Sequence, residues 1–188
     1  MFEGKSILCV IPARGGSRRL PFKNITLFRG KALIQWAIEH AEGSKYIDRI
    51  VVSTEDQAIA LHAGKYFLER PAFLAEDRVP TEAVMAHVLH QVMDYDFAVL
   101  LQPTSPLRSI EDIDRSIEIA VTKDGVNVLT GCVSYNEYGK RNGAIFVCNV
   151  RHFLQHLSFD AAHHYMMPNS RSLDINYPWD LKDENPDR

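Results

Sequence analysis

The sequence predicts a doubly wound α/β fold with a mostly parallel sheet. Its apolar runs are short and continuous rather than alternating, as in strands buried on both faces. Segments of helical period separate those runs, and strand-then-helix repetition builds a sheet with helices on both sides. The chain has 188 residues, 46% of them hydrophobic, enough for one domain with a single core.

The expected strands are residues 7–12, 50–53, 98–102, 126–133 and 144–150. Helices are expected over residues 32–41, 55–63, 81–93 and 110–122. In the first, Ile34, Ala37, Ile38 and Ala41 share a face; in the third, Val84, Val88, Leu89 and Val92 do the same. Thr54 ahead of Glu55, and Ser109 ahead of Glu111 and Asp112, read as helix caps with first-turn acids. From Tyr177 onward the tail is polar and is expected to fray after a short helix. In such a fold the ligand lies at the carboxyl ends of the strands, so the loop after the first strand and the loop after Gln102 should face each other.

The formal net charge of −3 argues against general nucleic-acid binding, which shows a basic balance over a whole domain. The apolar stretches are strand-sized and the first follows a short N-terminus with no basic excess, so neither signal peptide nor membrane span is expected, and the cytoplasm is the expected compartment. Cys9, Cys132 and Cys148 fall in apolar runs without metal-type spacing and read as buried reduced thiols.

Positive charge is concentrated in residues 13–24, directly after the first strand. Arg14, Arg18, Arg19 and Lys23 surround Gly15 and Gly16, with no acid among them. Glycine permits φ > 0 and close approach of backbone N–H groups to an anion, while guanidinium and ammonium groups supply the charge a polyphosphate needs. The string is neither Gly-x-x-x-x-Gly-Lys-Ser/Thr nor Gly-x-Gly-x-x-Gly. A basic surface turn is the plainer alternative, but it gives no reason to pair two glycines with four cations at the end of a buried strand.

Four blocks carry a family resemblance. They are Ile11-Pro12-Ala13-Arg14-Gly15-Gly16-Ser17 followed by Pro21 and Lys23-Asn24; the run from Leu100 to Arg108 containing Gln102-Pro103-Thr104-Ser105-Pro106; Asn142-Gly143-Ala144-Ile145-Phe146; and Arg171-Ser172-Leu173-Asp174-Ile175-Asn176. In this order they resemble the acylneuraminate cytidylyltransferases, the CMP-sialic acid synthetase family. The resemblance implies a Rossmann-like sheet of the nucleotide-diphospho-sugar transferase type. It implies Mg²⁺-dependent transfer of CMP from CTP to sialic acid or a related nonulosonic acid, with release of pyrophosphate, in the synthesis of surface polysaccharide.

By the same resemblance Arg14 and Lys23 are the catalytic cations. Ala13, Gly15, Gly16, Ser17, Asn24, Arg70, Asp77 and Thr81 complete the nucleotide site, Gln102, Thr104 and Ser105 meet the sugar, and Asp174 with Asn176 holds the metal. Thr81 reads equally well as a helix N-cap, and Arg108 as a structural clamp on its turn. The chain departs from the family pattern at Asn176, where an acid is usual, at Arg19, where a small residue is usual, and at residues 134–141, which replace a longer segment carrying sugar contacts and a dimer arm. Asp180 could compensate for Asn176 if a helical turn brings it round. A homodimer is therefore expected in changed or weaker form. Two other readings remain open: a non-catalytic nucleotide-binding relative serving as a regulatory subunit, and a nucleotidyltransferase using another nucleoside triphosphate.

Other signals carry less. His152 and His156 are four apart but have no general-base Glu between them, so a zincin reading fails, and Thr104-Ser105 has no nucleophile elbow around it. Trp36, Tyr95 and Trp179 read as core or rim aromatics.

Overall fold

A computed structural model describes residues 1–123, 131–160 and 163–182. In chain order the elements are β1 (Ile7–Pro12), a small hairpin of β2 (Leu27–Phe28) and β3 (Lys31–Ala32), α1 (Leu33–Gly43), β4 (Arg49–Thr54), α2 (Gln57–Ala63), β5 (Phe67–Glu69), α3 (Thr81–Gln91), β6 (Phe97–Leu101), α4 (Ile110–Thr122), β7 (Gly131–Asn136), β8 (Arg141–Asn149), α5 (Val150–His156) and β9 (His163–Met167). Among the described residues no helix is long and apolar enough to cross a membrane.

The seven-stranded sheet has the order β5-β4-β1-β6-β8-β7-β9. β1 pairs in parallel with β4 and β6, β4 with β5, and β7 with β9. β8 is antiparallel to both β6 and β7, so among the described residues it alone runs against the other six strands. The expectation of parallel central strands fails at β8 because only residues 137–140 link it to β7, and a parallel crossover needs a dozen or more. That link closes on Asn136, whose Oδ1 accepts from the backbone N–H groups of Tyr138 (3.1 Å) and Lys140 (2.9 Å), with Gly139 at φ +72°. The expected strand over 126–133 lies partly outside the described residues, and its described part continues to Asn136.

The apolar runs are continuous because successive residues go to opposite faces. Ile7, Cys9 and Ile11 join Ile34, Ala37, Ile113 and Ile117 on the side of α1 and α4. Leu8 and Val10 join Met85, Val88 and Leu89 of α3 and Phe153 of α5 on the other. All three cysteines are free and buried, and burial pushes each thiol up to about 12. A smaller cluster of Leu20, Phe28, Leu33 and Ile175 seats the loop after β1 against the C-terminal segment.

Two caps differ from expectation. Asp56, not Thr54, caps α2 by accepting from Ile59 N–H (2.9 Å); Thr54 Oγ1 instead accepts from Asp56 N–H (3.1 Å). Thr81 follows the extended Pro80 as the first residue of α3 and makes no cap bond. Ser109 caps α4 as expected, in a reciprocal capping box with Asp112. The short strands β5 and β9, and the hairpin β2–β3, were not anticipated. The chain order reverses between β1 and β6, so their carboxyl ends form the switch-point crevice where ligands of open α/β sheets bind.

Candidate functional site

At that crevice lies a cleft of about 240 Å³. Arg14, Lys23 and Asn24 wall it on the β1 side, Gln102 and Thr104 on the β6 side, and Arg70, Asp77 and Thr81 close it. Two loops far apart in sequence meet here, as expected. A larger cleft of about 600 Å³ adjoins it, lined by Gly16, Ser17 and Arg18 on one side and residues 75–78 on the other.

The start of the loop after β1 is held by neighbours from β4 and from the loop's own far end. Ala13 N–H donates to the Ser53 carbonyl (3.0 Å), continuing the sheet, and the Asn24 side-chain amide donates to the Arg14 carbonyl (2.9 Å). Gly15 N–H donates to Glu55 Oε1 (2.7 Å), and a Cβ on Gly15 would lie 2.8 Å from the Asp56 Cβ. Gly15 is thus required by close approach of the loop after β4, and the anticipated positive φ is found at neither Gly15 nor Gly16. Gly16 faces open space.

Its cations are engaged as well. Arg14 Nη1 lies 2.8 Å from Asp77 Oδ1 and donates to the Ala75 carbonyl (3.3 Å), and Arg18 Nε pairs with the second Asp77 oxygen. Lys23 Nζ donates to Asn176 Oδ1 (3.3 Å), and the same amide donates through Nδ2 to Asp174 Oδ2 (2.6 Å). Burial pushes the Lys23 ammonium below the ordinary lysine value of 10.5, with the Asp174 carboxylate opposing that shift. Asp180 does not complete an acidic pair, because its Oδ2 accepts from the backbone N–H groups of Asn176 and Tyr177 (2.8 Å each) and fixes the turn. The guanidinium of Arg19 lies over the Tyr177 ring, 5.4 Å from its centre.

On the opposite wall, Arg108 is 1% exposed and its Nη1 donates to the carbonyls of Gln102 (2.9 Å) and Ala144 (2.8 Å). It is the clamp of the two alternatives, tying the end of β6 to β8, and burial brings its pKa down to about 10. The clamp sets Gln102 Oε1 3.4 Å from where a Gly143 Cβ would stand, at φ +73°. Arg70 is likewise a buried brace whose Nε donates to Ser53 Oγ (3.2 Å) while one edge lines the cleft. The side chains of Ser105 and Ala13 are buried, at 1% and 0% exposure, behind the cleft-lining Thr104 and Arg14.

Several participants escaped the sequence reading. Glu55 and Asp56 reach the loop from the end of β4, a place that adjacency of β4 to β1 would have pointed to. Asp112, fully buried, takes a two-pronged bond from Arg171 (2.8 and 2.9 Å) and one from Tyr165 OH (2.9 Å). With Ile175 N–H bound to the Thr104 carbonyl (2.8 Å), this anchor brings the segment carrying Asp174 and Asn176 to Lys23. The His152 and His156 ring centres lie 4.4 Å apart with the planes tilted by 38°, and among the described residues no three metal-type side chains converge.

A family model described as Cytidylyltransferase matches residues 8–149, which takes in both walls of the cleft. The chain belongs to the cytidylyltransferase family. Among relatives of this cytidylyltransferase, the N-acylneuraminate cytidylyltransferase of Escherichia coli is 29% identical over 94% of the chain, which spans only half of that protein. The CMP-N,N'-diacetyllegionaminic acid synthase of Legionella pneumophila is 32% identical, over 93% of the chain and 92% of its own length. A solved CMP:2-keto-3-deoxy-manno-octonic acid synthetase complexed with CTP superposes with a TM-score of 0.73 at 16% identity, covering 94% of this chain and 95% of its own. That likeness establishes a shared fold.

Proposed function

We propose that this chain transfers CMP from CTP to an acidic nine-carbon sugar of the sialic or legionaminic type, with release of pyrophosphate. The observation that carries this reading is the meeting of the cationic loop and the Gln102 loop around one switch-point cleft. Nucleotidyl transfer asks the protein to position groups and neutralise charge, and this cleft offers cations without a nucleophile elbow.

In this reading a sugar hydroxyl attacks the α-phosphorus of CTP and loses its proton to solvent, the bond to the pyrophosphate oxygen breaks, and Arg14 and Lys23 neutralise the departing charge. The Gln102 amide and the Thr104 hydroxyl orient the sugar. Asp174 offers the carboxylate, and Mg²⁺ is commonly held by one or two carboxylates plus phosphate oxygens and water; Asn176 turns its amide nitrogen to Asp174 and its oxygen to Lys23, so it would join the ligand set only with its amide turned round. Bound there, Mg²⁺ would offset phosphate charge.

The alignment with the Legionella protein runs over 219 residues, more than this chain contains, which supports reading the tight β7–β8 hairpin as the remnant of a longer sugar-binding and dimer-forming segment. A weaker homodimer follows, to be measured by light scattering. The cytoplasm, where CTP is supplied, is the proposed setting, and surface polysaccharide the proposed destination of the product.

The test is pyrophosphate release from CTP, Mg²⁺ and a panel of nine-carbon acidic sugars. Release that is abolished by Lys23→Ala and by Asp174→Ala supports the proposal. CTP binding by calorimetry without release from any sugar supports instead a non-catalytic nucleotide-binding subunit, the reading that Asn176 in place of an acid favours.

A further inference from the structure

The two guanidinium groups offered to an anion are both held by one carboxylate. Asp77 Oδ1 lies 2.8 Å from Arg14 Nη1, and its other oxygen meets Arg18 Nε. A carboxylate that bridges two guanidinium groups uses the donors that a phosphate oxygen pair would use. Asp77 belongs to the loop between β5 and α3, and it lines both clefts, standing at their common boundary. The side chains of Asp77 and Arg14 each keep about a third of their surface exposed, so water and ions reach the pair and it can open. The neighbouring backbone donor repeats the pattern, since Gly15 N–H is occupied by Glu55.

We infer that Asp77 is an internal counter-ion for the polyphosphate site, a residue that gives way to the triphosphate and returns to Arg14 and Arg18 as pyrophosphate leaves. The inference rests on the reading of Arg14 as a polyphosphate ligand. A ligand that uses Arg14 must first break the contacts with Asp77, so its affinity is lowered by whatever those contacts contribute. Substrate bound through base, ribose and sugar loops tolerates that loss. Pyrophosphate has only its charge to hold it, and a competing carboxylate therefore weakens the leaving product in particular. Asp77 would tune the site against product retention rather than touch the cytosine ring.

Calorimetry with inorganic pyrophosphate, on the wild-type chain, Asp77→Asn and Arg14→Ala, tests this. In Asp77→Asn the pyrophosphate dissociation constant should fall by about three- to tenfold, the range expected for removing partly exposed ion pairs that compete with the ligand. The gain should shrink at high salt, and cytidine, which lacks phosphate, should bind both proteins alike. Unchanged or weaker pyrophosphate binding in Asp77→Asn overturns the inference, because Asp77 would then be aligning Arg14 for the ligand. If Arg14→Ala binds pyrophosphate as well as wild type, the assignment of Arg14 fails and the inference fails with it.

Discussion

The Lys23 ammonium donates to the Asn176 amide oxygen at 3.3 Å, and the same amide donates to Asp174. An amide is therefore interposed between a half-buried cation and the nearest acid of the C-terminal segment. An aspartate at position 176 would pair with Lys23 directly and hold its proton. With Asn176 there, burial prevails and the ammonium is lowered from 10.5.

A pH dependence follows. Phosphate binds the protonated amine, so CTP affinity is full below the Lys23 pKa and declines as pH rises through it, at lower pH than for an exposed lysine. Lys23→Arg, whose charge persists across this range, should abolish that alkaline decline in a calorimetric titration series. Asn176→Asp should move the decline to higher pH. A decline identical in all three proteins would assign it to another group.

The two loop glycines should separate in mutation. Gly15→Ala places a Cβ within 2.8 Å of the Asp56 Cβ and presses on the loop that caps α2. A loss of about 1–3 kcal/mol in urea unfolding is expected, as for overpacking elsewhere. Gly16→Ala meets nothing within 4 Å and should change stability by less than about 0.5 kcal/mol. Equal effects at the two positions would contradict the packing described.

Much of this was legible in the sequence, for a physical reason. Strands such as Ile7–Pro12 bury both faces, which leaves an uninterrupted apolar run. β9 was not legible, because His163, Tyr165 and Met167 alternate with exposed neighbours and the strand lies at the sheet edge, where half of it meets water. The direction of β8 was encoded in the four-residue spacing to β7, a signal of chain geometry rather than hydrophobicity. At the site, Arg14 and Lys23 announced themselves by charge beside glycine. Glu55, which engages that loop, could not be assigned to it without knowing that β4 pairs beside β1, and Asp77 was placed at the site by the family resemblance alone, with no sign of its contact with Arg14.

Asp112 should govern acid stability of the C-terminal segment. It is buried, and its bonds from Arg171, Ser109 and Tyr165 outweigh desolvation, so its carboxyl lies below the ordinary 3.8. A depressed folded pKa contributes stability that is present above the unfolded value and is lost as pH falls through the folded one. Asp112→Asn removes this contribution and leaves Arg171 without its partner. The expected cost at neutral pH is about 2–4 kcal/mol, reduced from the fully buried case because Arg171 is partly exposed. Urea unfolding at neutral and acid pH checks this, and the variant should be less sensitive than wild type to acidification below pH 3.8.

The thiols provide a probe of global opening. Cys9, Cys132 and Cys148 lie in β1, β7 and β8 with pKa values raised to about 12, so almost no thiolate exists at neutral pH and no reagent reaches it in the folded chain. Alkylation requires opening of the sheet itself, and the labelling rate in native buffer should equal the rate in urea scaled by the opening equilibrium. All three should label together when the sheet unfolds as one unit. Rapid labelling of Cys132 alone would show that β7 and β9 detach before β1 and β6, which would make the half of the sheet beyond β8 a separately opening part of the fold. Pyrophosphate or CTP at concentrations well above its dissociation constant should slow Cys9 labelling, because a ligand that binds only the folded cleft lowers the open population in proportion to its saturation.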